Sequence, residues 1–213
     1  MAGEAITAGT ALRYGISPYA GGVYTAPVYW KTIPNITGTP DFNVTPDSVD
    51  CTDLLDLVYK RNKHGLIDLG TREFEANYSE YLIEVTTAAA ADPVDPTDTW
   101  VAETAYALGA MLVEGTTSSY YVCTTAGTSG TVEPTWTTSG TFTDGTVTWT
   151  FMCLATADLV RAFCIDFVPF NQRVWWIGEL APVMPAASAV GELQTTTLAI
   201  SFSDNLAVAA ITA

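Results

Sequence analysis

Thr71-Arg72-Glu73-Phe74-Glu75-Ala76-Asn77-Tyr78 alternates residue by residue. In an extended chain Phe74, Ala76 and Tyr78 fall on one face, and Glu73, Glu75 and Asn77 on the other. That period of two predicts a half-buried strand. The C-terminal third repeats the pattern. Over residues 159–167, Phe163, Ile165 and Phe167 oppose Cys164 and Asp166; residues 173–178 form a second candidate. Over residues 193–203, Leu198, Ile200 and Phe202 alternate with Thr197, Ala199 and Ser201. Upstream, residues 30–33 and 41–44 read as short strands bounded by Pro34, Gly38 and Pro40. Residues 82–91 predict a short flanking helix, and residues 60–70 and 181–191 read as loops. The fold class expected is mainly β: an antiparallel β-sandwich or partial barrel with one short helix.

The chain divides into three parts by composition. Residues 1–91 carry 11 acidic and 6 basic side chains, residues 92–153 carry 7 and none, and residues 154–213 carry 5 and 2. Residues 1–27, rich in Gly, Ala, Tyr and Pro, read as an extended arm. The middle part opens on Asp92-Pro93-Val94-Asp95-Pro96-Thr97-Asp98, a proline-punctuated acidic linker. A calcium loop is disfavoured there by the prolines and by the missing glycine and glutamate. Residues 120–123 and 146–151 are strand candidates, and Asp144-Gly145 is a hairpin signal. The expected organisation is a discontinuous domain, 1–91 with 154–213, interrupted by a small all-β module at 92–153.

The 213 residues are 48% hydrophobic and 15% charged, with 23 acidic against 8 basic side chains, net charge -15 and pI near 4.1. Such a chain does not grip nucleic acid by neutralising phosphates, which takes Lys and Arg. No uncharged apolar run reaches the roughly 18 residues of a membrane-spanning helix, so no membrane insertion is expected. The N-terminus lacks the basic and apolar regions of a secretory signal, so synthesis in a reducing cytoplasm is expected. Cys51, Cys123, Cys153 and Cys164 form no CxxC, and three glycosylation sequons carry no weight without export. No metal, nucleotide-binding or nucleophile motif occurs, and the single histidine, His64, sits in a basic turn. The expectation is a protein without cofactor and without enzymatic activity. Two readings of the Glu73 and Glu75 face stay open: a solvated sheet surface, or the wall of a channel that repels a polyanion.

Ile33-Pro34-Asn35-Ile36-Thr37-Gly38-Thr39-Pro40-Asp41-Phe42, then Thr45-Pro46-Asp47-Ser48-Val49-Asp50-Cys51-Thr52-Asp53-Leu54, then Gly70 to Tyr78, resembles the N-terminal half of major tail tube proteins of long-tailed, non-contractile bacteriophages. Residues 155–208 resemble the C-terminal half, so the likeness covers about 28–91 and 155–208. It implies a β-sandwich subunit of stacked, hexameric rings in a virion tail, assembled in the host bacterial cytoplasm. The implied partners are further copies of the chain, the tape measure, terminator and distal tail proteins, and DNA passing through the lumen without specific binding. Glu73, Glu75 and Asp166 are the residues expected to face that lumen. The middle segment departs from the family and resembles small β-modules of phage virion proteins and, distantly, carbohydrate-binding modules. Trp100, Tyr106, Tyr121 and Trp136 are the aromatics that would stack on host-surface glycans; the alternative places them in the module's core. A carbohydrate-binding adhesin, a capsid decoration protein and a tail terminator are the rival functions.

Overall fold

The computed structural model describes residues 10–40, 48–50, 62–64, 70–91, 93–183 and 194–211. The first part contributes strands β1 (Thr10–Ala20), β2 (Val23–Tyr24), β3 (Trp30–Thr32), β4 (Ile36–Gly38), β5 (Ser48–Asp50), β6 (Asn62–His64) and β7 (Thr71–Asn77), then helix α1 (Glu80–Ala90). The middle contributes β8 (Ala105–Tyr106), β9 (Met111–Glu114), β10 (Ser119–Thr125), β11 (Gly127–Thr128), β12 (Thr141–Asp144) and β13 (Val147–Leu154). Strands β14 (Asp158–Phe167), β15 (Gln172–Leu180) and β16 (Thr195–Ala210) complete the chain. The fold is mainly β, antiparallel throughout and not a closed barrel, consistent with a sandwich carrying one short helix. The main sheet runs β2-β1-β14-β15-β16-β7-β4, with β3 also on β1; β5 and β6 form a separate hairpin.

Strand β7 behaves as its alternation predicts. Phe74 and Ala76 are fully buried while Glu73 and Glu75 are exposed. Its register on β16 sets Phe74 opposite Leu198 and Glu73 opposite Ala199. Helix α1 lies across the apolar face, placing Leu82, Val85 and Ala89 in one core with Phe74, Phe163, Ile165, Trp176, Leu198 and Ile200. Trp176 is central, with near-parallel rings of Phe202, Phe163 and Phe74 at 4.7, 6.3 and 6.5 Å. Each such side chain contributes about 1.5–3 kcal/mol by leaving water. Ser79 starts the helix: its Oγ accepts from the backbone N–H of Leu82 at 3.0 Å and from Asn35 Nδ2 at 2.8 Å.

Of the segment expected as an extended arm, Thr10–Ala20 and Val23–Tyr24 are sheet. Strand β1 pairs with β14 from Thr10 opposite Phe167 to Tyr19 opposite Asp158, and sends Leu12 and Tyr14 into the core. Gly15 and Pro18 dilute its alternation in the sequence. Gly15 is required, because a Cβ there would sit 2.7 Å from the carbonyl oxygen of Tyr29. The strand expected at 41–44 lies outside the described residues, as do residues 184–193 of the expected long loop; a strand forms instead at Ile36–Gly38. His64 ends a hairpin strand rather than lying in a loop.

The middle segment builds its own sheet, β12-β13-β10-β9, beside the small β11-β8 pair. Leu112, Tyr121, Cys123, Val147 and Trp149 fill its core. Gly145 turns the β12–β13 hairpin at φ +61°, where only glycine is unstrained. On the other side of this sheet, Tyr120, Met152, Cys153 and Ala157 pack with Ile16 of β1, joining the two units. Arg161 of β14 reaches back to the end of α1, donating to the carbonyls of Ala88 (3.2 Å) and Ala91 (2.7 Å). The start of the middle segment therefore lies beside β14, the strand that follows that segment.

Candidate functional site

With α1 on one face of the main sheet, the opposite face of β7, β16 and the end of β15 is left open by the described residues. Cross-strand pairing sets Thr71 against Ser201, Glu73 against Ala199, Glu75 against Thr197 and Asn77 against Thr195. Glu179 continues the surface beside Ser201. Glu73, Glu75 and Glu179 are all exposed, and their neighbours are short Thr, Ala and Ser side chains. Gly38 on β4 leaves room for the Glu75 carboxylate, which would lie 3.0 Å from an added Cβ. Successive outward positions on a strand are about 7 Å apart, so the Glu73 and Glu75 charges add within one Debye length. These positions on β7, and on β16 as far as Ser201, carry no Lys or Arg. The patch is a smooth, acidic, hydroxyl-rich strip with one sign of charge.

Asp166 does not join it. Expected beside the two glutamates, it is 1% exposed and enclosed by two arginines from the flanking strands. Arg173, directly opposite on β15, grips it with both Nε and Nη2, the second bond 2.8 Å long. Arg13 Nε of β1 lies 3.0 Å from Oδ2. The Arg173 guanidinium also stacks over Trp30 at 5.1 Å. Its pKa is held above the usual arginine value by the hydrogen bond to Asp166. Sequence parity placed Asp166 on the correct face but said nothing of what covers that face. Here β3 covers it, and the carboxylate is spent inside the protein.

The four aromatics expected to stack on glycans belong to one cluster. Tyr121, expected as a sugar-stacking ring, is fully buried, donates to the carbonyl of Thr137 at 3.0 Å and packs on Trp136, Phe142 and Phe151. Tyr106 meets the buried Trp149 edge-on at 4.9 Å, and its hydroxyl accepts from Val101 N–H. Trp100 donates to Asp144 (2.7 Å) and Trp136 to Glu133 (2.9 Å). Trp100, Tyr106 and Trp136 are half-buried against the core. The core placement is the one observed for Tyr121.

Among the described residues three carboxylates are buried, and each is filled by donors from within the chain. Asp166 takes the arginines; Asp144 accepts from Trp100 and from Gly130 N–H. Glu114 closes the β9–β10 turn by accepting from Thr116 and Thr117. Burial pulls its pKa up, but those hydrogen bonds outweigh it and hold the carboxyl below its usual value. The thiols of Cys123, Cys153 and Cys164 are buried, with burial pushing all three up, Cys153 to about 11. Among the described residues no three His, Cys, Asp or Glu side chains gather as metal ligands, and no helix is long and apolar enough to cross a membrane. In comparison with known proteins, no family model matches the chain and no curated protein matches it.

Proposed function

We propose that the chain is a structural subunit of a phage tail tube, assembling with its own copies into stacked rings whose lumen conducts DNA. The observation that carries this reading is the open sheet face bearing Glu73, Glu75 and Glu179 among small hydroxyl side chains, backed by a helix-covered core. Duplex DNA carries one negative charge per about 1.7 Å of axis, so a wall of this kind repels it evenly and offers it no cationic foothold. A second feature supports ring closure. Strand β7 pairs with β16 only from Thr195 to Ser201, whereas β15 follows β16 out to Ala210. The distal stretch of β16 thus has a ladder edge without a partner among the described residues, of the sort a neighbouring chain completes.

Negative-stain electron microscopy of the purified chain over a concentration series tests the reading. Rings or hollow tubes are expected; particles that stay monomeric with and without tail initiator proteins overturn it. In the virion, E73K/E75K should leave tubes intact while DNA passage slows or stops. Normal infectivity of that variant rejects the lumen assignment.

A further inference from the structure

The basic residues of this acidic chain are not scattered. Five have side chains the structure describes: Arg13, Lys31, Arg72, Arg161 and Arg173. All but Arg72 line two adjoining clefts where the middle segment meets the main sheet. The clefts share Val28, Tyr29, Lys31 and Leu108; the inner, of about 240 Å³, has Ile16, Met111 and Met152 in its walls and Arg161 at its side. Among the described residues no Asp or Glu lines either one. The nearby Asp166 is buried beneath Arg13 and Arg173, so among the described residues Arg13, Arg173 and Lys31 stand here with one carboxylate. The same surface exposes apolar side chains: Val28 is 41% exposed, Leu108 51% and Tyr81 57%. The region is built to hold its shape. Gly109, at φ +81°, lets the Tyr29 ring pack where an added Cβ would come within 2.6 Å of it.

We infer that this junction is the docking surface for a second copy of the chain, receiving an acidic, apolar-flanked part of its neighbour. The inference rests on the reading that the chain assembles with itself. Two bodies each carrying -15 repel at a distance and associate only where the local field has the opposite sign and apolar surface is there to be buried. The junction meets both conditions. The open acidic strip meets neither, and it faces the lumen. The contact also spans the main sheet and the middle segment, so docking locks the two units of one subunit together.

The test uses the full-length chain at physiological ionic strength. Sedimentation velocity over a concentration series is run on the wild type, K31E, L108E and, as a control distant in sequence that adds the same single charge as L108E, V132E, since Val132 is 77% exposed. Circular dichroism melts establish that each variant is folded. Self-association of the wild type should weaken at least tenfold in K31E and L108E, about 1.4 kcal/mol each, and stay unchanged in V132E. A wild type that stays monomeric at every concentration overturns the proposal, and so does unchanged association of K31E and L108E. The two readings separate: tubes from L108E indistinguishable from wild type sink the docking surface and leave the tail tube. Closed dimers that L108E abolishes sink the tail tube and keep the docking surface.

Discussion

Replacing Asp166 with alanine should be among the most damaging single changes at a charged position in this protein. The substitution leaves two guanidinium groups facing a buried site that held their shared counter-ion. Removing one partner from a buried pair costs about 3–5 kcal/mol, because the remaining charge is left without compensation. The lower end applies here. The Arg13 side chain is 33% exposed and Arg173 11%, so both can recover some hydration. Taking about 3 kcal/mol, and a urea dependence of about 2–3 kcal/mol per molar for a chain of this size, the midpoint should fall by about 1–1.5 M. R13A should cost only about 1 kcal/mol, since its partner keeps the two-point grip of Arg173. Replacing all three by Leu and Met should return stability near that of the wild type. Equilibrium urea unfolding followed by tryptophan fluorescence measures all of these. A D166A midpoint within about 0.3 M of wild type would refute the closed Arg13–Asp166–Arg173 arrangement, since no desolvated charge would then have been uncovered.

Three further outcomes follow from local geometry. S79A removes the acceptor for Leu82 N–H and the partner of Asn35, and should lower stability by about 1 kcal/mol by urea unfolding, while S79D retains most of it. G145A forces a Cβ to within 2.4 Å of the Thr128 carbonyl oxygen at a left-handed φ, and should cost about 2 kcal/mol or more by the same measurement. In C51S, the three buried thiols should react with a disulfide reagent far more slowly in the native than in the unfolded protein. With Cys153 pushed to about 11, about a thousandth of it is thiolate at pH 8, and reactivity should rise tenfold per pH unit until it approaches that value. Fast titration of all three native thiols at pH 8 would contradict their burial.

The strands of the main sheet were legible wherever large apolar and polar residues alternate without interruption, as in β7, β14 and β16. The Asp144-Gly145 hairpin was legible because its turn demands glycine. Strand β1 was not: Gly15 serves a close approach of Tyr29, Pro18 ends no helix, and neither carries the hydrophobic signal that marks a strand. The distal half of β16, with Ala207, Ala209 and Ala210, escaped notice for the same reason. At the candidate site the limit was different. Alternation gives the face on which a side chain lies, and it placed Glu73, Glu75 and Asp166 alike. Whether that face meets solvent or another strand depends on pairings between distant segments, here β1 beside β14 and β3 on β1. The gathering of Lys31, Arg161, Arg13 and Arg173 is of the same kind, drawn from four strands that no local pattern connects.

The strand order β1-β14-β15-β16-β7 has a consequence for the timing of folding. The three central strands are synthesised after the strands on either side of them. At about 5–20 residues per second, β1 and β7 leave the ribosome on the order of ten seconds before β14 and β16 exist to receive them. The middle segment, whose sheet pairs only with itself among the described residues, can close during that interval. It thereby shortens the effective loop that the long-range pairing of β1 with β14 must close. On this account the middle segment is a folding device as well as an appendage, and deleting it changes the kinetics by which the sheet around it forms.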